Sequence, residues 1–107
     1  MVASADFQAL VTNDIARGYA TVSSSAVAIS SFTGLAAALI ARANVAKITA
    51  RTAGVMYLTT GNDPTATVGH LIAQNATVEI VGQNNIANLK VIREASTDSE
   101  VTITLSE

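Results

Sequence analysis

The spacing of apolar residues near the N-terminus differs from the spacing in the rest of the chain. Apolar side chains recur there at the spacing of one helix face. These residues are Phe7, Leu10, Val11 and Ile15. Because Gly18 is placed to end such a helix, residues 1–17 are predicted to form a short amphipathic helix or an arm. A helix would close one end of the domain, whereas an arm would carry the four residues to a neighbouring molecule. Phe7, Leu10, Val11 and Ile15 are therefore the candidate interface.

From residue 18 onward the apolar positions alternate with a period of two, which is typical of β-strands. Strands are predicted over residues 19–22, 26–31, 45–52, 55–60, 77–81, 88–93 and 101–105. The last strand alternates most regularly, so Val101, Ile103 and Leu105 are expected to face the core. Strong helix formers favour a short helical turn over residues 35–42, although the pattern leaves residues 34–43 open between helix and strand.

Turn-forming residues separate these strands about every ten residues. Hairpins are expected at Gly61-Asn62-Asp63-Pro64 and at Gly82-Gln83-Asn84-Asn85. Many short strands with such spacing predict an all-β fold, either an antiparallel β-sandwich or a barrel-like domain. The predicted organisation is the arm or helix over residues 1–17, followed by one β domain over residues 18–107.

The composition predicts a domain that is covered by partners. Half of the residues are hydrophobic but only 4% are aromatic, and much of the apolar share is alanine and valine. Small side chains bury little area, so the core of an isolated domain would be modest. Only 13% of the residues are charged, against about 25% in typical soluble domains. Packing into an assembly of many symmetric copies would cover such a surface.

Charge and cysteine content exclude several classes of function. The net charge is −2 and the six Lys and Arg residues are scattered, so a direct nucleic-acid ligand is not expected. Without cysteine the chain has neither disulfides nor a thiolate metal site. No apolar run reaches the length of about 18 residues that a membrane span requires, and the N-terminus lacks the pattern of a signal peptide.

The polar residues do not form a recognisable catalytic set. His70 is the only histidine, and no nucleophile-and-base pattern accompanies it, so we expect an ordinary loop or rim histidine. Asp98 and Glu100 lie on one side of an extended segment, where a solvated acidic loop is the expected structure. Asp63 before Pro64 is expected to shape a turn through its own downstream amides. We therefore predict no enzyme, no catalytic residue, no cofactor and no metal site.

Three segments resemble a known family. They are residues 57–71, with the loop Gly61-Asn62-Asp63-Pro64-Thr65-Ala66-Thr67-Val68-Gly69, residues 78–82, and residues 88–93. In this order, a strand, a Gly-x-x-Pro-Thr-Ala-x-x-Gly loop and an Ile-Arg strand before a Thr-rich C-terminus, they resemble small structural proteins encoded among the virion genes of tailed bacteriophages. The resemblance covers residues 44–106. It implies a particle component without enzymatic activity and does not separate capsid from neck or tail.

Two hypotheses of different classes follow. The first is a structural virion protein, either a capsid decoration or cement protein or a head-neck or tail-associated protein. Its partners would be other capsid, neck or tail proteins, with no nucleic acid and no membrane. The alternative is a carbohydrate- or receptor-binding β-sandwich module, because such sites are often built on the loops of this fold.

Overall fold

Two four-stranded antiparallel sheets form the fold over residues 13–107, the part of the chain that the computed structural model describes. The strands are β1 (Asp14–Val22), β2 (Val27–Ala28), β3 (Val45–Ala50), β4 (Val55–Leu58), β5 (His70–Ile72), β6 (Thr77–Val81), β7 (Lys90–Arg93) and β8 (Ser99–Ser106). The helices are α1 (Ala37–Arg42) and α2 (Gln83–Ala87), and a 3-10 turn spans Ile29–Ser31. The first sheet has the order β1-β8-β3-β6 and the second β2-β7-β4-β5. This confirms the predicted all-β class as a sandwich rather than a barrel.

The core side of the first sheet follows the two-residue alternation. Val101, Ile103 and Leu105 of β8 are all buried, which confirms the predicted inward face of the last strand. Ile48 of β3 lies directly opposite Ile103 and is also buried. Because β8 pairs with β1 on one side and β3 on the other, its inward side chains occupy the middle of the core.

The second predicted hairpin is wrong. β6 belongs to the first sheet and β7 to the second, and the short helix α2 joins them. Ile86 anchors α2 because its side chain is completely buried, while the Asn85 amide donates to the Val81 carbonyl at 2.9 Å. The Gly-Gln-Asn-Asn segment therefore starts a crossover between the layers. The first hairpin is confirmed, since β4 and β5 pair in antiparallel register.

The predicted boundary after Arg17 falls inside a strand. Residues 14–17 begin β1 and are not helical, so the helix prediction is wrong for this part of the segment. Asn13 and Glu107 exchange backbone hydrogen bonds of 3.1 and 2.9 Å, which places the start of β1 beside the end of β8. Ile15 is half-buried and packs against the core. The helical turn expected over residues 35–42 is confirmed as α1.

The free edge of β1 is partly covered by the segment that follows the 3-10 turn. Tyr19 and Thr33 exchange backbone hydrogen bonds of 3.1 and 3.0 Å. Gly18 is required here because a Cβ atom would collide with the buried Leu35 side chain. The bridge between Tyr19 and Thr33 thus protects the middle of the β1 edge from addition of another strand.

We predict that Ile103→Asp unfolds the domain whereas Thr104→Asp does not. A carboxylate at Ile103 would be buried without a partner, at a cost of several kcal/mol against a typical total stability of about 5–15 kcal/mol. Thr104 faces outward between Arg17 and Lys47 on the neighbouring strands, so aspartate there gains about 0.2–1 kcal/mol. Thermal unfolding of both variants checks this, and equal losses would contradict the assigned strand faces.

Candidate protein–protein interface

The outward side of the second sheet is apolar because three of its strands carry consecutive apolar residues. The pairs are Val55-Met56 in β4, Leu71-Ile72 in β5 and Val91-Ile92 in β7. Val55, Ile72 and Val91 are completely buried. Since successive side chains of a strand point to opposite faces, the other member of each pair faces away from the core.

These three outward residues lie side by side. Met56 is directly opposite Leu71 on β5 and directly opposite Ile92 on β7. Together Ile92, Met56 and Leu71 form a single cross-strand row, here called the central row. Leu71 is 52% exposed, and Met56 and Ile92 are half-buried. Neighbouring side chains at this spacing contact each other and form one continuous apolar strip.

A fourth apolar side chain and two charges surround the central row. Leu58 is half-buried and shares the outward side of β4 with Met56; the central row and Leu58 together are called the apolar face. Lys90, opposite Leu58, donates to the Asp63 carboxylate at 3.0 Å. On the other side of the row, the Glu94 carboxylate covers Gly54, where a Cβ atom would overlap it. The row is therefore flanked by opposite charges.

The outward side of the first sheet has a different character. Its outward residues are mostly polar, with one apolar pair, Val45 of β3 opposite Val81 of β6. The polar or aromatic ones are Arg17, Tyr19 and Thr21 of β1, Glu100, Thr102 and Thr104 of β8, Lys47 and Thr49 of β3, and Thr77 and Glu79 of β6. The Thr49 and Thr77 hydroxyls share a hydrogen bond of 2.7 Å. This surface is mostly polar and is therefore suited to contact with water. Only the second sheet thus presents an apolar outward face within residues 13–107.

An open groove crosses the outward side of β1 and β8. It has a volume of about 500 Å³ and is lined by Arg17, Gly18, Tyr19, Thr102, Ile103 and Thr104. Tyr19 is 57% exposed and lies opposite Thr102. An exposed aromatic ring beside hydroxyl groups is the most ligand-like feature of this sheet.

The residues predicted as an interface are only partly described. Phe7, Leu10 and Val11 lie outside the described residues, so their contribution to a helix or arm stays a prediction. Ile15 belongs to β1 and packs against the core of this domain. It therefore does not continue a helical apolar stripe with the other three residues.

The candidate polar residues are dispersed. His70 is the first residue of β5 and not a loop residue, and its exposed ring lies 5.3 Å from that of Tyr57. Asp98 accepts a hydrogen bond from Arg93 at 2.7 Å, whereas Glu100 accepts one from Thr21 at 2.8 Å. The two carboxylates thus bind different partners and do not form a joint site.

The loop before β5 is shaped by Thr65 and not by Asp63. The Thr65 hydroxyl accepts the backbone amides of Thr67 and Val68 at 3.3 and 3.0 Å. Asp63 instead accepts a hydrogen bond from Lys90. The expected turn role of Asp63 is therefore wrong, because its carboxylate is drawn to the cation opposite Leu58 in the second sheet.

The described residues also limit metal and membrane sites. Within residues 13–107 no group of three or more His, Asp and Glu side chains is arranged to hold a metal ion. No helix in that range is long and apolar enough to cross a membrane.

The two buried serines have structural hydrogen bonds. The Ser99 hydroxyl donates to the Ala53 carbonyl at 2.6 Å, and the Ser106 hydroxyl donates to the Asp14 carboxylate at 2.8 Å.

No protein-family model matches this chain, and neither a curated protein nor a solved structure is significantly similar to it. Its class is therefore defined by its own fold and surface. It is a small antiparallel β-sandwich with one polar and one apolar outward face.

Sequence reasoning missed the apolar face although a signal for it was present. The last strand alternates, so its threonines were placed outside, but Val55-Met56, Leu71-Ile72 and Val91-Ile92 break the alternation. An apolar doublet in a strand of a two-layer sandwich indicates that one member faces outward. Three doublets in neighbouring strands indicate an apolar face once their pairing is known.

We predict that alanine substitution distinguishes the two members of the Leu71-Ile72 doublet. Ile72 is completely buried, so Ile72→Ala should lower the free energy of unfolding by about 2–5 kcal/mol. Leu71 is half exposed, and Leu71→Ala should change it by only about 0.5 kcal/mol. Denaturant unfolding of both variants measures the difference. A larger loss for Leu71→Ala would show that β5 has the opposite orientation.

Proposed function

We propose that this protein is a structural, non-catalytic component of a tailed-phage particle that acts by protein–protein packing in multiple symmetric copies. The observation that carries the proposal is the apolar face on a domain whose core is already complete. Capsid decoration and a head-neck or tail-associated position are both compatible with this role. Its partners would be other virion proteins, and its location would be the virion.

The apolar face is not needed by the domain itself. The core between the sheets already contains completely buried residues from both, including Ile48 and Ile103 of the first sheet and Ile72 and Val91 of the second. The face lies on the opposite side of the second sheet and contributes nothing to that core. Contiguous exposed apolar patches on small soluble domains mark interaction surfaces. A partner protein that packs against the apolar face is the simplest way to remove it from water.

The low charge supports the same role. Only 13% of all residues are charged, and within residues 13–107 three ion pairs engage six of the charged side chains. A domain with few charged side chains gains less from solvation of its surface and tolerates burial among neighbours. The resemblance of residues 44–106 to small virion proteins supplies the tailed-phage context.

Many weak contacts suit such a role. A fully buried Leu, Ile or Met side chain contributes about 1.5–3 kcal/mol, and the side chains of the apolar face are already partly covered. A single copy would therefore bind weakly before ordering costs are subtracted. Repetition over a symmetric particle raises the overall affinity without any new type of contact.

The proposal predicts that the chain is retained on assembled particles through the apolar face. Particles from the source culture would be purified by density gradient and the chain quantified by mass spectrometry. We expect it at a fixed copy number per tailed particle. Met56→Ser/Leu71→Ser should reduce retention of added chain by at least about tenfold, because it removes two members of the central row.

Val81→Ser is the matched control for this experiment. Val81 is 64% exposed but lies in β6 on the other sheet, so its loss should leave retention unchanged. Thermal unfolding would verify that both variants fold. Absence of the chain from every particle fraction would contradict the proposed function, as would equal retention of the two variants.

One observation favours a carbohydrate- or receptor-binding module as a second candidate. The groove beside Tyr19 combines an exposed aromatic ring with Arg17, Thr102 and Thr104, and aromatic platforms with polar neighbours are suited to sugars. This candidate predicts saturable changes in tyrosine fluorescence with a glycan, which Tyr19→Ala abolishes while Tyr57→Phe preserves them. No response across a glycan panel would reject it.

A further inference from the structure

The charges beside the central row lie on β7 and directly after it. Glu94 is the first residue after β7, where its backbone amide donates to the Gly54 carbonyl at 3.1 Å and its carboxylate lies over Gly54. Lys90 and Ile92 of β7 are spaced by two residues, so both point to the outward side of the second sheet. Val91 between them is buried, which fixes this orientation. One side of the central row therefore carries Lys90, paired with Asp63, and the other carries the Glu94 carboxylate, with Ile92 between Lys90 and Glu94 in the chain.

This order makes the apolar face complementary to itself in one orientation. A two-fold rotation about an axis parallel to the central row reverses the strand direction and turns the face onto a second copy. Lys90 then faces Glu94 of the second copy, and Glu94 faces the second copy's Lys90. A two-fold axis that is parallel to β7 and runs directly over it would instead place lysine opposite lysine and glutamate opposite glutamate. Opposite charges favour the first arrangement and like charges disfavour the second.

The shape of the apolar face permits a second copy to approach closely. Small residues flank the charged side chains, with Ala28 beside Lys90 and Gly54 beneath Glu94. Gly69 lies against Met56, where an added Cβ would lie 3.5 Å from the methionine Cβ. Two sheets that pack face to face lie about 10 Å apart. The central rows of two copies can then meet, and methionine at their centre adapts to small mismatches.

The free edge of β6 is a poorer surface for self-association. Hydrogen bonds from Ala50 N to the Ala76 carbonyl and from Gly82 N to the Asn44 carbonyl set the register against β3. This register leaves the backbone groups of Thr77, Glu79 and Val81 pointing away from the sheet. Symmetric pairing of two such edges about Glu79 would place two carboxylates opposite each other, and like charges in that position are destabilising.

We propose that two copies of this chain associate face to face through the apolar face, with a two-fold axis along the central row and two Lys90–Glu94 pairs across the interface. The partner is thus a second copy of the chain. This inference rests on the proposed function only in that both assign the apolar face to protein packing. The homodimer would be the unit that enters the larger assembly.

Charge reversal tests the orientation directly. All variants would carry Asp63→Asn, because a glutamate at position 90 would otherwise be repelled by Asp63, the present partner of Lys90. In this background Lys90→Glu and Glu94→Lys should each weaken the dimer at least about tenfold, since each creates two repulsive pairs. The double swap, Lys90→Glu with Glu94→Lys, should restore the affinity of the background protein.

Mixing the two single variants gives a second readout that does not depend on the double swap. One variant carries only acidic groups beside the row and the other only basic groups. Each should remain mostly monomeric alone, whereas an equimolar mixture should form heterodimers. Sedimentation equilibrium gives the dissociation constants, native mass spectrometry identifies the heterodimer, and thermal unfolding confirms that every variant is folded.

Several results would overturn the inference. A chain that stays monomeric up to about 1 mM has no useful self-affinity, and failure of both the double swap and the mixture would reject the two-fold orientation. A monomer in which removal of residues 2–12 exposes Leu71 to chemical footprinting would show that this chain's own N-terminal segment covers the face. A strictly monomeric chain that Met56→Ser/Leu71→Ser releases from particles would reject the dimer while supporting the proposed function. A chain that forms the dimer but is absent from all particles would support the dimer and reject the proposed function.

Discussion

The pairing of the last strand with the first and the third is the constraint on which the rest of the structure depends. β8 forms the ladder with β1 from Ser99 to Ser106 and at the same time pairs with β3 from Val101 to Ser106. Its inward residues supply the middle of the core only when both neighbours are in register. Such contacts join residues far apart in sequence, and non-local pairing of this kind slows folding because the entropy of loop closure must be lost before the contacts form. A slip of one residue would turn every inward side chain outward.

That constraint also explains which features the sequence could predict. β3 and β8 alternate because one side of each is buried and the other faces water; both were predicted as strands, and the inward face of β8 was predicted correctly. The helical turn at α1 and the loop after β4 followed from local composition. Residues 14–17 could not be assigned in this way, since Ile15 lies four positions after Val11 and fits that helical spacing as well as it fits a strand. Pairing with β8, a contact across the whole chain, decides for the strand.

The outward face of the second sheet was harder to predict than the core. An apolar doublet such as Val91-Ile92 is compatible with a strand buried on both sides, with a strand that has one exposed apolar face, or with a helix. Only the register, in which Met56 lies between Ile92 and Leu71, shows that the outer members form one row. The crossover through α2 was equally hidden, because Gly82 and the asparagines after it fit a tight turn as well as a helix start.

The distribution of charge completes the contrast between the two faces. Two of the ion pairs within residues 13–107, Lys90–Asp63 and Arg93–Asp98, join β7 to loops. The third joins Arg42 of α1 to Glu107. Exposed pairs of this kind contribute only about 0–1 kcal/mol each, so they position loops more than they stabilise the fold.

Glu94 belongs to none of these ion pairs, although it lies beside the apolar face. A carboxylate in that position changes the stability of the isolated domain little. Its charge instead affects a partner that packs on the apolar face. One repulsive or attractive charge pair beside desolvated side chains can favour one orientation of that partner over another.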